Sequence, residues 1–98
     1  MNDEAKFFED ISVIVENMNE LAKPVLPEYK NFAKDVIFDR MTDIYEIERM
    51  LDYMVTFCFN NEILLLFKAV LRKLYYRYPD VVNIYVTVYF DMYGRDPE

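Results

Sequence analysis

Apolar side chains recur along this chain at steps of three and four, the spacing that places them on one helical face. From Asp3 to Ala22 the set Phe7, Phe8, Ile11, Ile14, Val15, Met18, Leu21 and Ala22 follows that rule, with Asp3 placed to cap the helix. Lys23-Pro24-Val25-Leu26-Pro27 ends it, because each proline lacks an N–H and pushes its predecessor out of the α region. Pro27 suits the first position of the next helix. Between Pro27 and Pro79 there is neither Pro nor Gly, and the helical period continues from Tyr29 through Phe32, Val36, Ile47, Leu51 and Val55 to Cys58. An unbroken helix from Glu28 to Phe59 satisfies that pattern. Thr42-Asp43 followed by Glu46 offers an Asp-x-x-Glu capping box, however, so a break is placed near Met41.

Asn60-Asn61 is a stop-and-start signal, since Asn tolerates the left-handed region at a helix end and accepts N–H bonds at a helix start. A fourth helix is predicted from Glu62 to about Arg77. Its face Ile63, Leu64, Leu66, Phe67, Val70, Leu71, Leu74 and Tyr75 is expected to point inward, and Lys68, Arg72, Lys73 and Arg77 line the other side. The segment 80–93 is ambiguous. Val82, Ile84, Val86, Val88 and Phe90 alternate with polar or aromatic residues as in a strand, yet Asp80, Asn83, Thr87 and Asp91 form one helical stripe between Pro79 and Gly94. A strand would need a partner strand, and the only other β-branched run is Ile11 to Val15, so helix is the favoured reading. The expected fold is therefore all-α: a compact bundle of four to five helices forming one domain over residues 1–98, with 80–93 as the one candidate strand.

Composition narrows the chemistry. Hydrophobic residues make up 54% of the 98, including nine Tyr and eight Phe, which excludes a disordered chain. No His is present, which removes Ser-His, Cys-His and His-metal arrangements. One Cys builds neither an internal disulfide nor a thiolate zinc cage, and a single Gly rules out the glycine-rich phosphate loops. The expectation is no enzyme, no cofactor and no metal. An acidic amino terminus, no export signal and no apolar run approaching ~18–20 residues point to a cytoplasmic protein without a membrane span.

The net charge is −7, and all of it lies in the first part: residues 1–60 hold 13 acidic and 6 basic side chains, whereas residues 61–98 hold five of each. Asp35, Asp39 and Asp43 are spaced by four, which on a continuous helix would stack three carboxylates at a cost of ~0.2–0.5 kcal/mol per pair. Two readings stand: a solvated face that keeps a tyrosine-rich protein soluble, or a docking surface for a basic partner. The candidate contacts are Asp35, Asp39, Asp43, Glu46 and Tyr45, with Asp52 and Tyr53 next. Direct nucleic-acid binding is not expected, because it needs concentrated Lys and Arg. Three readings fit the stripe Lys68, Arg72, Lys73 and Arg77: a grip on phosphate, an ordinary exposed helical face, or pairing with acids of a neighbouring helix, and the readings without a ligand are favoured. Tyr29, Tyr45 and Tyr53 beside the acids are the tyrosines assigned toward an interface, since Tyr joins rigid contact area to a polar tip. Met41, Met50 and Met54 are read as core fillers, and Cys58 as a buried small hydrophobe.

An acidic, aromatic-rich helical chain of this kind resembles, over its whole length and at the level of profile, the single-domain immunity proteins that accompany bacteriocins and contact-dependent growth-inhibition toxins. The resemblance implies a cytosolic bacterial inhibitor that binds and neutralises a basic toxin, nuclease-like in character, by protein–protein contact. Two alternatives stay open. One is a homo-oligomeric structural or regulatory helical protein, of which a homodimer is the simplest form. The other is a phage-type inhibitor of a nucleic-acid-binding complex.

Overall fold

The computed structural model describes residues 16–94. Every regular element among them is a helix: residues 16–22 (α1), Leu26–Ile37 (α2), Ile44–Thr56 (α3), Asn61–Leu74 (α4) and Pro79–Tyr93 (α5). The all-α bundle read from the sequence is the observed one. The part of the first predicted helix before residue 16 lies outside the described residues.

The ends of these helices follow local chemistry. Asp43 caps α3 by accepting the Tyr45 N–H at 3.0 Å. The reciprocal half of the predicted box is not made, because both Glu46 carboxylate oxygens turn to Arg49 instead. Asn60 caps α4, accepting the Ile63 N–H at 3.1 Å. Pro79 opens α5, and Gly94, at φ +79°, closes it with its N–H on the Phe90 carbonyl. Two boundaries move from their predicted places: Pro27 is the second residue of α2 rather than the first, and α4 ends at Leu74 instead of near Arg77. The N–H groups of Arg77 and Tyr78 both turn back onto the Leu74 carbonyl, which ends the ladder before the proline.

The break between α2 and α3 is sharper than the sequence suggests. Asp39 sits in the left-handed region at φ +60°, where a glycine is usual. The Asp39 N–H bonds to the Val36 carbonyl at 3.1 Å and the Arg40 N–H to the Asp35 carbonyl at 2.7 Å. That pair of bonds is a Schellman cap, and an Arg40–Asp35 ion pair at 3.0 Å stands where the usual apolar contact would be.

Cross-links between elements fix their directions. Lys30 meets Glu62 near the starts of α2 and α4, and Asp39 meets Lys73 at their ends, so these two helices run parallel. Tyr85 of α5 reaches Glu48 and Asp52 of α3, and Tyr93 reaches Val55, so α3 and α5 are parallel as well. From Tyr85 to Tyr93 a helix rises ~12 Å, close to the ~10 Å that separates Glu48 from Val55 on α3, whereas a strand would climb ~26 Å. That match is why 80–93 is helical despite its alternation. α4 touches α2, α3 and α5; the most extensive contact is with α2, and α3 closes the other side against α5. Phe67, Ile47, Leu51, Met54, Ile63 and Val70 fill the centre.

Candidate functional site

The three aspartates predicted as a row do not form one. Asp35 lies in the last turn of α2 and accepts the Arg40 Nε–H at 3.0 Å. Asp39 lies beyond the helix end and pairs with Lys73 of α4 at 3.4 Å, the one member of the basic stripe with a carboxylate partner among the described residues. Asp43 turns its carboxylate to the start of α3. Because the chain reverses at Asp39, no single helical face holds all three. Each carboxylate has a nearby donor, which removes the need to explain an uncompensated row.

The remaining candidates come together on α3. Tyr45, Arg49 and Tyr53 follow one another at steps of four, the spacing that lines them along one helical strip. Tyr45 is 81% exposed and Tyr53 52%. Arg49 links the strip: its guanidinium pairs with both oxygens of Glu46 and lies 5.7 Å from the centre of the Tyr53 ring. That pairing holds the Glu46 carboxyl below the ordinary carboxylate range and raises Arg49 above its usual value. The pair is solvent-exposed, so its worth lies in holding the two side chains in register and little in stability. Arg49 is the member that sequence reasoning missed as a site residue. The signal for it is the Tyr-x-x-x-Arg-x-x-x-Tyr spacing.

Asp52 is a special case. Its Oδ1 accepts the Tyr85 hydroxyl at 2.6 Å, and the same hydroxyl also approaches the Glu48 carbonyl at 2.8 Å. Burial, and then the Asp52 carboxylate, push the Tyr85 hydroxyl well above an ordinary phenol. Asp52 therefore anchors α5 on α3 while remaining exposed beside Tyr53. Tyr29, assigned toward an interface from its neighbours, is instead 3% exposed and packs 6.1 Å from Phe57. A large ring on the inner stripe of α2 is worth more buried than displayed.

The readings made of the methionines and of Cys58 hold. Met50 and Met54 are buried and Met41 packs against the core. Cys58 is buried, its thiol donating to the Met54 carbonyl at 3.4 Å, and burial pushes it up to about 12. Among the described residues, no cluster of three acidic or sulfur side chains is placed to hold a metal ion, and no helix is long and apolar enough to cross a membrane. Compared with protein-family models, with curated proteins and with solved structures, the chain matches none.

Proposed function

We propose that this chain is a protein-binding module that captures a basic protein on the outer strip of α3 and, in the manner of the immunity proteins it resembles, neutralises a toxin in the cytosol. The observation that carries this reading is the Tyr45–Arg49–Tyr53 strip with Glu46 fixed beside it. Exposed Tyr and Arg are the residues that dominate protein interfaces, and two rings held at fixed spacing lose little freedom on binding. A net charge of −7 supports a cationic partner, since long-range attraction raises the encounter rate while desolvated rings slow escape. Asp43 at the start of the strip adds to that attraction. Asp35 and Asp39, each beside a cation of its own, contribute less.

The test is recovery of the tagged protein from its native cell at low and moderate salt, followed by kinetics on the purified partner. The expected result is one stoichiometric basic protein whose association slows as salt rises. Tyr45→Ala and Tyr53→Ala should each speed dissociation about tenfold, and Glu46→Lys should slow association. Recovery of the bait alone, or dissociation unchanged in both tyrosine variants, sinks the reading.

A second copy of the chain is the other reading that a specific observation favours. Leu65, Ile84 and Met92 are large apolar side chains left about half exposed on α4 and α5. Light scattering separates the two, because a homo-oligomer retains its mass at high salt whereas an acidic inhibitor alone runs as one chain.

A further inference from the structure

The α4–α5 side of the bundle carries chemistry opposite to that of α3. Lys68 and Arg72 are four residues apart on α4, so they share one outward strip, and Tyr75 and Tyr76 continue it beyond the helix end. Among the described residues no carboxylate lies within ion-pair distance of Lys68 or Arg72, whereas Arg40, Arg49 and Lys73 are each held by one. Leu71, Arg72, Tyr75, Tyr76 and Val82 line an open groove of about 310 Å³. Leu71 and Val82 are buried and make its floor. The two rings meet edge to face at 5.7 Å and 82°. Tyr76 is 91% exposed, so its ring contributes little to the core.

The geometry points to a docking groove for an acidic, extended segment of a partner protein, one that places an apolar or proline side chain between carboxylates. Arg72 offers the planar fork that takes a carboxylate with two parallel bonds, and Lys68 a second cation one turn away. The paired tyrosines and the Leu71–Val82 floor accept an apolar side chain, as aromatic-lined grooves do for extended peptides. The volume suits one or two such side chains and is too open to enclose a small ligand.

Charge complementarity selects this occupant over two others. Aromatic rings beside cations also suit single-stranded nucleic acid, but the two cations at this groove, on a chain of net charge −7, cannot supply the phosphate neutralisation on which such binding depends. A second copy would have to bring its acidic part against this groove. That contact works against the mutual repulsion of two acidic chains. The groove lies on different helices from the α3 strip, so the inference stands or falls without it.

Selection of random dodecapeptides displayed on phage against the full chain tests the inference. Enriched sequences should be acidic, with proline, leucine or an aromatic residue between the acids. The best of them, made synthetically, should weaken about tenfold in binding to Arg72→Glu and to Tyr76→Ala. Tyr45→Ala should bind it unchanged. Both substitutions in the groove fall on exposed side chains, and circular dichroism verifies that the helices persist. Failure to enrich acidic sequences, or affinity indifferent to both groove variants, overturns the inference. Tighter binding of a short oligouridylate than of the selected peptide would assign the groove to nucleic acid and overturn it. Self-association of the wild type that Arg72→Glu abolishes would give the groove to a second copy, which also overturns it.

Discussion

The two parallel helix pairs in this bundle are held by different means. α2 and α4 meet over a long apolar seam, and their charged groups touch only at the ends, through Lys30–Glu62 at 3.7 Å and Lys73–Asp39 at 3.4 Å. α3 and α5 share less apolar contact, and two tyrosine hydroxyls pin them together, Tyr85 on Glu48 and Asp52 and Tyr93 on the Val55 carbonyl at 2.7 Å. Exposed ion pairs gain little over water, whereas a hydroxyl brought to a carbonyl or carboxylate in a partly buried seam is costly to leave unpaired. The exposed ion pairs therefore add little to the fold, whereas the carboxylates that cap α3 and anchor α5 do contribute to it. The tyrosines divide between fold and surface by where their hydroxyls end.

The comparison can be broken most forcefully at its shared centre. Phe67→Ala empties a fully buried site on α4 that also faces the Tyr89 ring of α5, and denaturant unfolding should show a loss of ~3–5 kcal/mol. A loss under ~1 kcal/mol would mean that the two pairs do not share one core. Alkaline pH should come next. Burial raises the Cys58 thiol to about 12 and lifts the Tyr29, Tyr85 and Tyr93 hydroxyls above their ordinary values. Groups raised in the folded state contribute stability that is whole below their unfolded pKa values, ~8.5 for Cys and ~10 for Tyr, and lost as pH climbs toward the folded ones. Stability should therefore be level from neutrality to ~8.5 and fall above it, and Cys58→Ala should delay the onset toward ~10. A curve still level at ~11 would contradict the burial of these groups.

Smaller changes sharpen the contrast between the pairs. Tyr85→Phe keeps the ring and removes the hydroxyl, and should cost ~1–2 kcal/mol in the same assay. Asp39→Gly should be neutral or stabilising by up to ~1 kcal/mol, because glycine adopts the left-handed backbone at φ +60° without strain. Lys30→Met and Lys73→Met should each move stability by less than ~0.5 kcal/mol. If either lysine variant proved as costly as Tyr85→Phe, the distinction drawn between the two pairs would fail.

Helix starts were largely legible in the sequence, because their signals are local: Asp43 and Asn60 each accept an N–H within three residues, and Pro79 lacks the donor that a first turn leaves unpaired. The end of α2 was less so. An aspartate filling the place of glycine leaves no sequence mark, and the bonds that hold it there are main-chain ones. For the same reason the Asp35–Asp39–Asp43 spacing implied a row that the backbone takes apart. The fate of each tyrosine was out of reach, since Tyr29 and Tyr45 differ only in which side of a helix faces α4, a tertiary fact. Segment 80–93 was ambiguous because its valines satisfy both periods. What decides it is the rise between two hydroxyls that must meet α3.

The parallel course of α2 and α4 also bears on the order in which the chain assembles. Consecutive helices usually fold as hairpins, yet here the most extensive seam joins segments separated by the whole of α3. That seam forms only once the chain has doubled back twice, so the smallest cooperative unit spans three helices, Leu26 to Leu74. On that order α5 is expected to dock last, on a surface already made. Hydrogen exchange should reveal this as a step in protection, with the amides of Pro79–Tyr93 opening at lower free energy than those of α2 and α4.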